Sequence, residues 1–234
     1  MTGNLLRENF LFKESQCTII SDQEKAIGLA VASIKRNYRE LELYTRANPK
    51  FLYSLSPLPV PDGPVVAKLM AEFTQKAGVG PMAGVAGAIA DLAVKDMLIG
   101  GCKVAIVEDG GEISANSNQP IDIAVAAGEE PLSKCFGFRL TEFPMGVATS
   151  SGRFSHAISF GDAEAVTVFC NNATLADSAA TAIGNNVKGE NALAGIQAGI
   201  DKALSIEGVQ GVFILYKGRV GTAGKIPQII KIGA

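Results

Sequence analysis

The sequence of 234 residues contains no tryptophan and a single histidine, His156. One histidine excludes a metal site built from several histidines. Aromatic residues make up only 6% of the chain, which argues against a stacking platform for single-stranded nucleic acid. The cysteines are Cys17, Cys102, Cys135 and Cys170. They form no C-x-x-C pair, so the sequence indicates neither a zinc site nor a disulfide framework.

The chain also has no excess of basic residues and no long uninterrupted apolar run. Lys and Arg number 21 against 23 Asp and Glu, so we expect neither nucleic acid nor an anionic membrane as a partner. Residues 79–99 are the candidate membrane span, and Asp91, Lys95 and Asp96 interrupt it. Residues 1–15 contain four charged side chains and no apolar run long enough for a signal peptide. We therefore expect a cytoplasmic protein without a membrane segment.

The order of helical and strand patterns predicts one α+β domain over residues 1–234, with long helices and mostly antiparallel sheets. Residues 9–20 have the pattern of an opening hairpin. Ser21 and Glu24 have the spacing of a capping box at the start of a long helix, which must end before Pro49. Four prolines predict that residues 51–64 form an extended loop.

The remainder of the chain alternates helical and strand patterns. Helices are predicted over residues 65–76, 83–100, 173–184 and 191–204. Strands are predicted over residues 103–107, 121–127, 136–140, 165–169 and 212–216. A helix, a strand and a glycine turn follow one another both in residues 83–113 and in residues 191–220. This order hints at an internal duplication of structure.

Residues 171–185 have the pattern of a strand exit that turns directly into a helix. Asp177 and Thr181 are four residues apart, so both lie on one face of that helix. Together they offer oxygen ligands of the kind that Mg²⁺ or Ca²⁺ binds. The alternative is that Thr174 and Asp177 form a capping box, in which Asp177 only satisfies a free backbone N–H.

Two short polar turns are further candidates for a binding site. Asp109-Gly110-Gly111-Glu112 is most simply a tight hairpin turn, although its glycines would also let backbone N–H groups approach an anionic ligand. Thr149-Ser150-Ser151 precedes His156, but the strained G-x-S-x-G turn of a Ser-His hydrolase is absent. A lone histidine is most simply a structural or surface residue. Its near-neutral pKa would also suit it to proton transfer.

The helix of residues 173–184 resembles the A-D-A-x-A-T-A-x-x-x-G helix of the ApbE superfamily, the FAD:protein FMN transferases. Residues 107–113 are similar to the N-A-G-G-D-I turn of that superfamily. Residues 146–156 are similar to its A-V-S-T-S-G segment and the histidine that follows. Residues 81–91 align with L-G-G-I-A-K-G-Y-A-V-D, and both Gly87 and Asp91 are kept.

This resemblance implies a flavin dinucleotide site and assigns roles to residues. Asp177 and Thr181 would bind Mg²⁺, together with a backbone carbonyl within residues 83–87, and the metal would hold the pyrophosphate of FAD. His156 would be the catalytic residue. The residues that would contact FAD, as substrate or ligand, are Asp109, Gly110, Gly111, Glu112, Thr149, Ser150, Ser151 and Gly87. The N-terminus of the 173–184 helix would point toward both polar turns, and a protein acceptor would be a partner.

The chain departs from the superfamily pattern at two places. Ala86 stands where the family has lysine, and residues 157–162 lack the family's D-P-x-T-G loop. The resemblance covers residues 80–185 and leaves residues 1–50 unmatched. It is closest to a cytoplasmic branch of the superfamily that has no leader and no D-P-x-T-G loop.

We therefore expect Mg²⁺-dependent binding of FAD or a related dinucleotide, with slow release of AMP at most. We expect no attachment of FMN to a threonine-bearing acceptor of the usual kind. Two alternatives stay open: a non-catalytic flavin- or nucleotide-binding protein, and a structural or assembly partner. A homo-oligomer is also left open.

Overall fold

The structure is a computed structural model that describes residues 5–13, 15–124, 136–151 and 161–232. Its helices are α1 (Glu24–Ala47), α2 (Pro49–Tyr53), α3 (Val65–Ala77), α4 (Val85–Ile99), α5 (Ala173–Gly184) and α6 (Ala192–Ser205), with a 3-10 turn at Pro81–Gly84 before α4. Its strands are β1 (Leu6–Phe12), β2 (Ser15–Ser21), β3 (Val104–Asp109), β4 (Glu112–Ser117), β5 (Ile121–Ala124), β6 (Phe136–Leu140), β7 (Met145–Ser150), β8 (Ala165–Cys170), β9 (Val209–Tyr216), β10 (Arg219–Gly224) and β11 (Gln228–Lys231).

The strands form two antiparallel sheets. The larger sheet has eight strands in the order β1-β2-β3-β4-β7-β8-β9-β10, and the smaller has three in the order β11-β6-β5. Neighbouring strands are antiparallel throughout both sheets. The predicted α+β class with mostly antiparallel sheets is confirmed.

The inner strands of the large sheet, such as β3 and β8, are buried on both faces. Alternate residues of β3 therefore pack into two different cores. Ala105 and Val107 pack into the core formed with α1 and α4. Val104 and Ile106 alternate with them and pack into the core shared with the smaller sheet. In that second core the Phe138 ring lies 4.9 Å from the Phe169 ring. The molecule therefore has a helix layer, a large sheet and a small sheet stacked in that order.

Two local predictions at the N-terminal helices were wrong. The capping box at Ser21 does not form, because Gln23 is the N-cap of α1 and supplies no side-chain hydrogen bond. The Ser21 hydroxyl instead donates to the Val104 carbonyl at 2.7 Å. The predicted loop is also shorter than expected, because α2 includes residues 51–53. Pro49 stands in the first turn of α2, where its fixed φ favours a helix.

A helix followed by a tight hairpin occurs twice in the large sheet. After α4 the β3–β4 turn places Gly110 and Gly111 at φ of 70° and 115°. After α6 the β9–β10 turn places Lys217 and Gly218 at φ of 50° and 69°. The order of elements agrees with the predicted repeat, and a duplication as its origin remains a prediction.

Within the described part of the chain, no single helix is long and apolar enough to cross a membrane. The bent pair of α3 with Pro81–Ile99, at an angle of 101°, meets the criteria of length and composition only when its two helices are taken together.

Candidate functional site

A cavity of about 1280 Å³ lies beside the β3–β4 turn. The first turns of α4 and one side of α5 form its helical wall, with Ala86 and Asp177 among the lining residues. Strands β5 and β11 of the smaller sheet form the opposite wall. Three segments that are distant along the chain therefore meet at one cavity: residues 108–113, the end of β7 and α5.

Asp177 and Thr181 both line this cavity, as their spacing on α5 predicts. The capping-box alternative for Asp177 was wrong. Asn172 is the N-cap of α5, and its side chain accepts from the Leu175 N–H at 2.8 Å. Asp177 Oδ2 accepts instead from the Gly87 N–H in the first turn of α4, at 3.1 Å. Asp177 is thus held against α4 while part of its side chain faces the cavity.

The N-terminus of α5 does not point into the cavity, which corrects the expected direction of the helix. The N–H groups of Ala173 and Thr174 donate to the carboxylate of Asp91 at 2.9 and 2.8 Å. The Thr174 hydroxyl donates to the same carboxylate at 2.6 Å. Helix α5 therefore presents its side to the cavity, through Asp177 and Thr181.

The β3–β4 turn carries the other acidic residues of the site. Asp109 and Glu112 face each other as the last pair of the hairpin, and both line the cavity with Gly110 and Gly111 between them. Asp109 is buried, and its Oδ2 accepts from the Ser15 hydroxyl at 3.0 Å. The predicted hairpin is confirmed, and its turn lies at the cavity.

Burial, followed by repulsion from neighbouring carboxylates, raises the pKa values of the acidic groups in the cavity. The pKa of Asp177 is raised to about 7. Burial is the largest cause and the charges of Asp109 and Asp91 act in the same direction, whereas hydrogen bonds from the Gly87 and Ala86 N–H groups act against them.

Glu112 and Asp109 are shifted in the same direction as Asp177. Burial, followed by the charges of Asp177 and Asp109, raises the pKa of Glu112 well above its ordinary value. Burial and the Glu108 charge raise the pKa of Asp109, against the lowering effect of hydrogen bonds from Ser15 and Cys17. Within the described ranges, no Lys or Arg forms an ion pair with Asp109, Glu112 or Asp177.

The polar end of β7 contributes two of its three predicted contacts. Thr149 and Ser151 line the cavity, whereas Ser150 does not. Strand β7 continues through Ser150, so this side chain points to the opposite face, where its Oγ lies 3.5 Å from the position of a Cβ added at Gly184. The predicted contact of Ser150 with the ligand is therefore not supported.

Gly87 is buried and is absent from the lining of the cavity. A Cβ at this position would lie 2.4 Å from the Ala173 carbonyl oxygen, so the residue permits direct contact between the backbones of α4 and α5. Gly87 contributes to the site through its N–H bond to Asp177, and its contact with the cofactor stays a prediction. His156, the predicted catalytic residue, lies outside the described residues.

Comparison with known proteins identifies the family. The family model described as "AbpE bacteria" matches residues 7–205. The chain belongs to the ApbE-like superfamily. The match includes β1, β2 and α1, so it extends further toward the N-terminus than the motifs indicated.

The curated relatives of this ApbE-like chain include archaeal proteins of similar length. A UPF0280 protein of Methanococcus maripaludis strain C5 is 40% identical over 230 residues, covering 96% of this chain and 93% of the relative. A UPF0280 protein of Methanocaldococcus jannaschii is 37% identical over 230 residues, with the same shares covered.

Solved structures share the fold at low sequence identity. The ApbE protein of Thermotoga maritima matches with a TM-score of 0.62 and 12% identity, covering 93% of this chain and 96% of that one. The flavinyl transferase ApbE of Pseudomonas stutzeri, in its apo form, matches with a TM-score of 0.60 and 14% identity, covering 94% of both chains. The predicted ApbE-like fold is confirmed.

Several lining residues come from segments outside the motifs used to predict the site. Arg7, Ser15 and Thr18 reach the cavity from the β1–β2 hairpin, and Lys231 reaches it from β11. These residues carry no local signature. Only the pairing of β2 with β3 in the large sheet brings the hairpin beside the β3–β4 turn.

The oxygen atoms of Asp177 and Thr181 on α5 suit a hard cation whose remaining ligands come from water and a bound anion. Within the described ranges, no group of three or more His, Cys, Asp or Glu side chains is arranged to hold a metal. Mg²⁺ does not need such a cage, because it commonly takes one or two carboxylates and completes its shell with water and substrate phosphates. Asp177 and Thr181 on one helix face match that pattern.

Proposed function

We propose that the cavity binds FAD or a closely related dinucleotide together with Mg²⁺. The observation that carries this proposal is the group of carboxyls at one end of the cavity. Asp109, Glu112 and Asp177 line the same space, their pKa values are raised, and no described basic side chain pairs with them. A divalent cation would offset the repulsion between these carboxylates, since an opposite charge favours the ionised form of each.

Asp177 and Thr181 are the residues that would hold the cation. Mg²⁺ supplies charge neutralisation for a diphosphate and for a phosphate leaving group. The hydrogen bond from the Gly87 N–H keeps Asp177 in one orientation at the cavity wall. Asp109 and Glu112, on the neighbouring turn, add negative charge that would attract the cation to this end of the cavity.

Other lining residues suit the remaining parts of a dinucleotide. Gly110 and Gly111 have no side chain between their backbone and the cavity, which favours close approach of a phosphate. Thr149 and Ser151 supply hydroxyl groups. Isoleucine side chains from both sheets and from α4 provide an apolar surface for a flat ring; they are Ile20, Ile89, Ile106, Ile113, Ile121, Ile123, Ile230 and Ile232.

The reaction that we propose for this site is cleavage of the bound pyrophosphate with release of AMP. Attack by water would give free FMN, and attack by a protein hydroxyl would give FMN linked to that protein. His156 is the proposed proton acceptor for the attacking water or protein hydroxyl, because an imidazole titrates near neutral pH. The names of solved neighbours, which include flavin transferases from Pseudomonas stutzeri and Vibrio cholerae, support transfer of a flavin. The protein acceptor is the partner that the resemblance to the superfamily implies.

A specific observation favours binding without efficient transfer as the second candidate. Ala86 lines the cavity at the position where the superfamily motif has lysine. A methyl group there supplies no charge and no hydrogen bond to a ligand. A misplaced nucleophile can lower the rate by orders of magnitude while ground-state affinity stays nearly intact.

Incubation with FAD tests the proposed function and separates the two candidates. Chromatography should detect AMP that accumulates slowly with Mg²⁺ and is absent with EDTA or with Asp177→Asn. Mass spectrometry of a threonine-bearing acceptor protein should detect no added FMN. Robust FMN addition would identify an efficient transferase. Binding of FAD without AMP release would identify the non-catalytic alternative, and absence of FAD binding would contradict the proposal.

A further inference from the structure

The carboxylate of Asp91 accepts four hydrogen bonds. It lies in α4 and accepts from two other elements, with both of its oxygens used twice. Oδ1 accepts from the Ser114 hydroxyl at 2.7 Å and from the Ala173 N–H at 2.9 Å. Oδ2 accepts from the Thr174 N–H at 2.8 Å and from the Thr174 hydroxyl at 2.6 Å. One side chain therefore joins α4, β4 and α5.

These bonds end close to the proposed cation site without entering it. Ala173 and Thr174 form the first turn of α5, and Asp177 follows one turn later on the same rigid helix. Ser114 lies two residues from Glu112 on β4, so both side chains point to the same face of the sheet. Asp91 thus holds the elements that carry Asp177 and Glu112, and it is absent from the cavity lining.

The contact between α4 and α5 leaves little freedom for Asp177 once Asp91 is in place. Gly87 donates to Asp177, and a Cβ at Gly87 would lie 2.8 Å from the Thr174 Cα. The first turns of the two helices are therefore in direct backbone contact. Loss of the Asp91 bonds would free the start of α5 and shift Asp177 relative to α4 and Glu112.

We infer that Asp91 is a positioning residue: it holds Asp177 in the place where Asp177 binds the cation, and it does not itself touch the ligand. The inference rests on the proposed function. Partners that orient metal ligands commonly change metal affinity by about ten- to hundredfold when they are removed. A carboxylate that only stabilised the fold would lower the melting temperature without a specific effect on the cation.

Asp22 provides a matched control for that distinction. Its carboxylate also accepts from backbone groups, the N–H of Lys103 and the N–H of Val104, each at 3.0 Å. Asp22 does not line the cavity. Removal of this carboxylate should lower stability for the same physical reason as removal of Asp91, because backbone donors lose their acceptor.

The experiment titrates Mg²⁺ in the presence of FAD and records the half-saturating Mg²⁺ concentration and the melting temperature of each variant. Asp91→Ala should raise the half-saturating concentration by about ten- to hundredfold, and Asp91→Asn, which keeps one acceptor oxygen, by less. Asp22→Ala should change it by less than about twofold, although its melting temperature also falls.

A milder variant keeps the inference falsifiable if Asp91→Ala does not fold. Thr174→Val keeps the shape of the side chain and removes only the hydroxyl bond to Asp91. It should raise the half-saturating Mg²⁺ concentration by about three- to tenfold. Unchanged half-saturation in both Asp91→Asn and Thr174→Val would overturn the inference. Absence of Mg²⁺-dependent FAD binding in the unmodified protein would instead contradict the proposed function.

Discussion

Asp91 and Asp177 each accept a backbone hydrogen bond from the first turn of the other residue's helix. Asp91 of α4 accepts from the Thr174 N–H in the first turn of α5 at 2.8 Å, and Asp177 of α5 accepts from the Gly87 N–H in the first turn of α4 at 3.1 Å. Negative charge is favourable at a helix N-terminus, so each helix stabilises the acid supplied by the other. This reciprocal pair of hydrogen bonds places Asp177 at the cavity and gives an acceptor to a backbone N–H group at the start of each helix.

Substitution of Gly87 tests the close contact on which this reciprocal pair of hydrogen bonds depends. In Gly87→Ala, the new Cβ would meet the Ala173 carbonyl oxygen at 2.4 Å, and backbone atoms cannot rotate away. Overpacking of this kind costs about 1–3 kcal/mol, more than the ~1 kcal/mol gained from better helix propensity. The free energy of unfolding in denaturant should therefore fall.

Gly28→Ala is the control for the substitution at Gly87. Gly28 lies in α1, and an added Cβ there meets no atom within 4 Å. Helix propensity alone should then act, and the free energy of unfolding should rise by about 0.5–1 kcal/mol. A Gly87→Ala protein as stable as Gly28→Ala would show that α4 and α5 are not in the described contact.

The raised pKa of Asp177 predicts how stability depends on pH. Its pKa is about 7 in the folded state against an ordinary 3.8, so the folded state binds more protons than the unfolded state between these values. Stability from this group is therefore fully present at low pH and is lost as the pH rises toward 7. In EDTA, the melting temperature of Asp177→Asn relative to the unmodified protein should increase over that range.

Addition of Mg²⁺ should restore the stability that the unmodified protein loses as the pH rises toward 7. At about pH 8 the cation should raise the melting temperature of the unmodified protein and leave that of Asp177→Asn unchanged. Melting curves of the two proteins that stay parallel from about pH 4 to pH 8, with and without Mg²⁺, would contradict the electrostatic account of the site.

The alternation along β7 predicts different effects for two neighbouring serines. Ser151 lines the cavity and Ser150 points toward α5. If a dinucleotide occupies the cavity, Ser151→Ala should weaken its binding by about three- to tenfold, the usual effect of one lost hydrogen bond. Ser150→Ala should leave affinity within about twofold. Isothermal titration with FAD and Mg²⁺ measures both, and the reverse order of effects would place the ligand elsewhere.

Local patterns sufficed for the parts of the site that depend on neighbours in sequence. Gly110 and Gly111 between two β-prone runs predicted the turn, because few other residues tolerate the positive φ that it requires. The four-residue spacing of Asp177 and Thr181 placed both on one face of α5, and both line the cavity.

Local patterns failed where a side chain bonds to a distant element. The capping box predicted at Ser21 and the one left open as an alternative at Thr174 were both wrong, since the two hydroxyls donate to Val104 and Asp91, each 83 residues away. No local rule distinguishes such a partner from a cap. The same limit applies to Arg7, which reaches the cavity only through strand pairing in the large sheet.

The central claim is that Asp177 binds a cation that the dinucleotide shares. Its most direct test is the affinity for FAD, measured with Mg²⁺ and with EDTA, in the unmodified protein and in Asp177→Asn. Asparagine keeps an acceptor for the Gly87 N–H and removes the charge, so the fold should persist. We predict that Mg²⁺ strengthens FAD binding by about tenfold or more in the unmodified protein and has no effect in Asp177→Asn. Equal FAD affinity with Mg²⁺ and with EDTA in the unmodified protein, or an undiminished Mg²⁺ effect in Asp177→Asn, would contradict it.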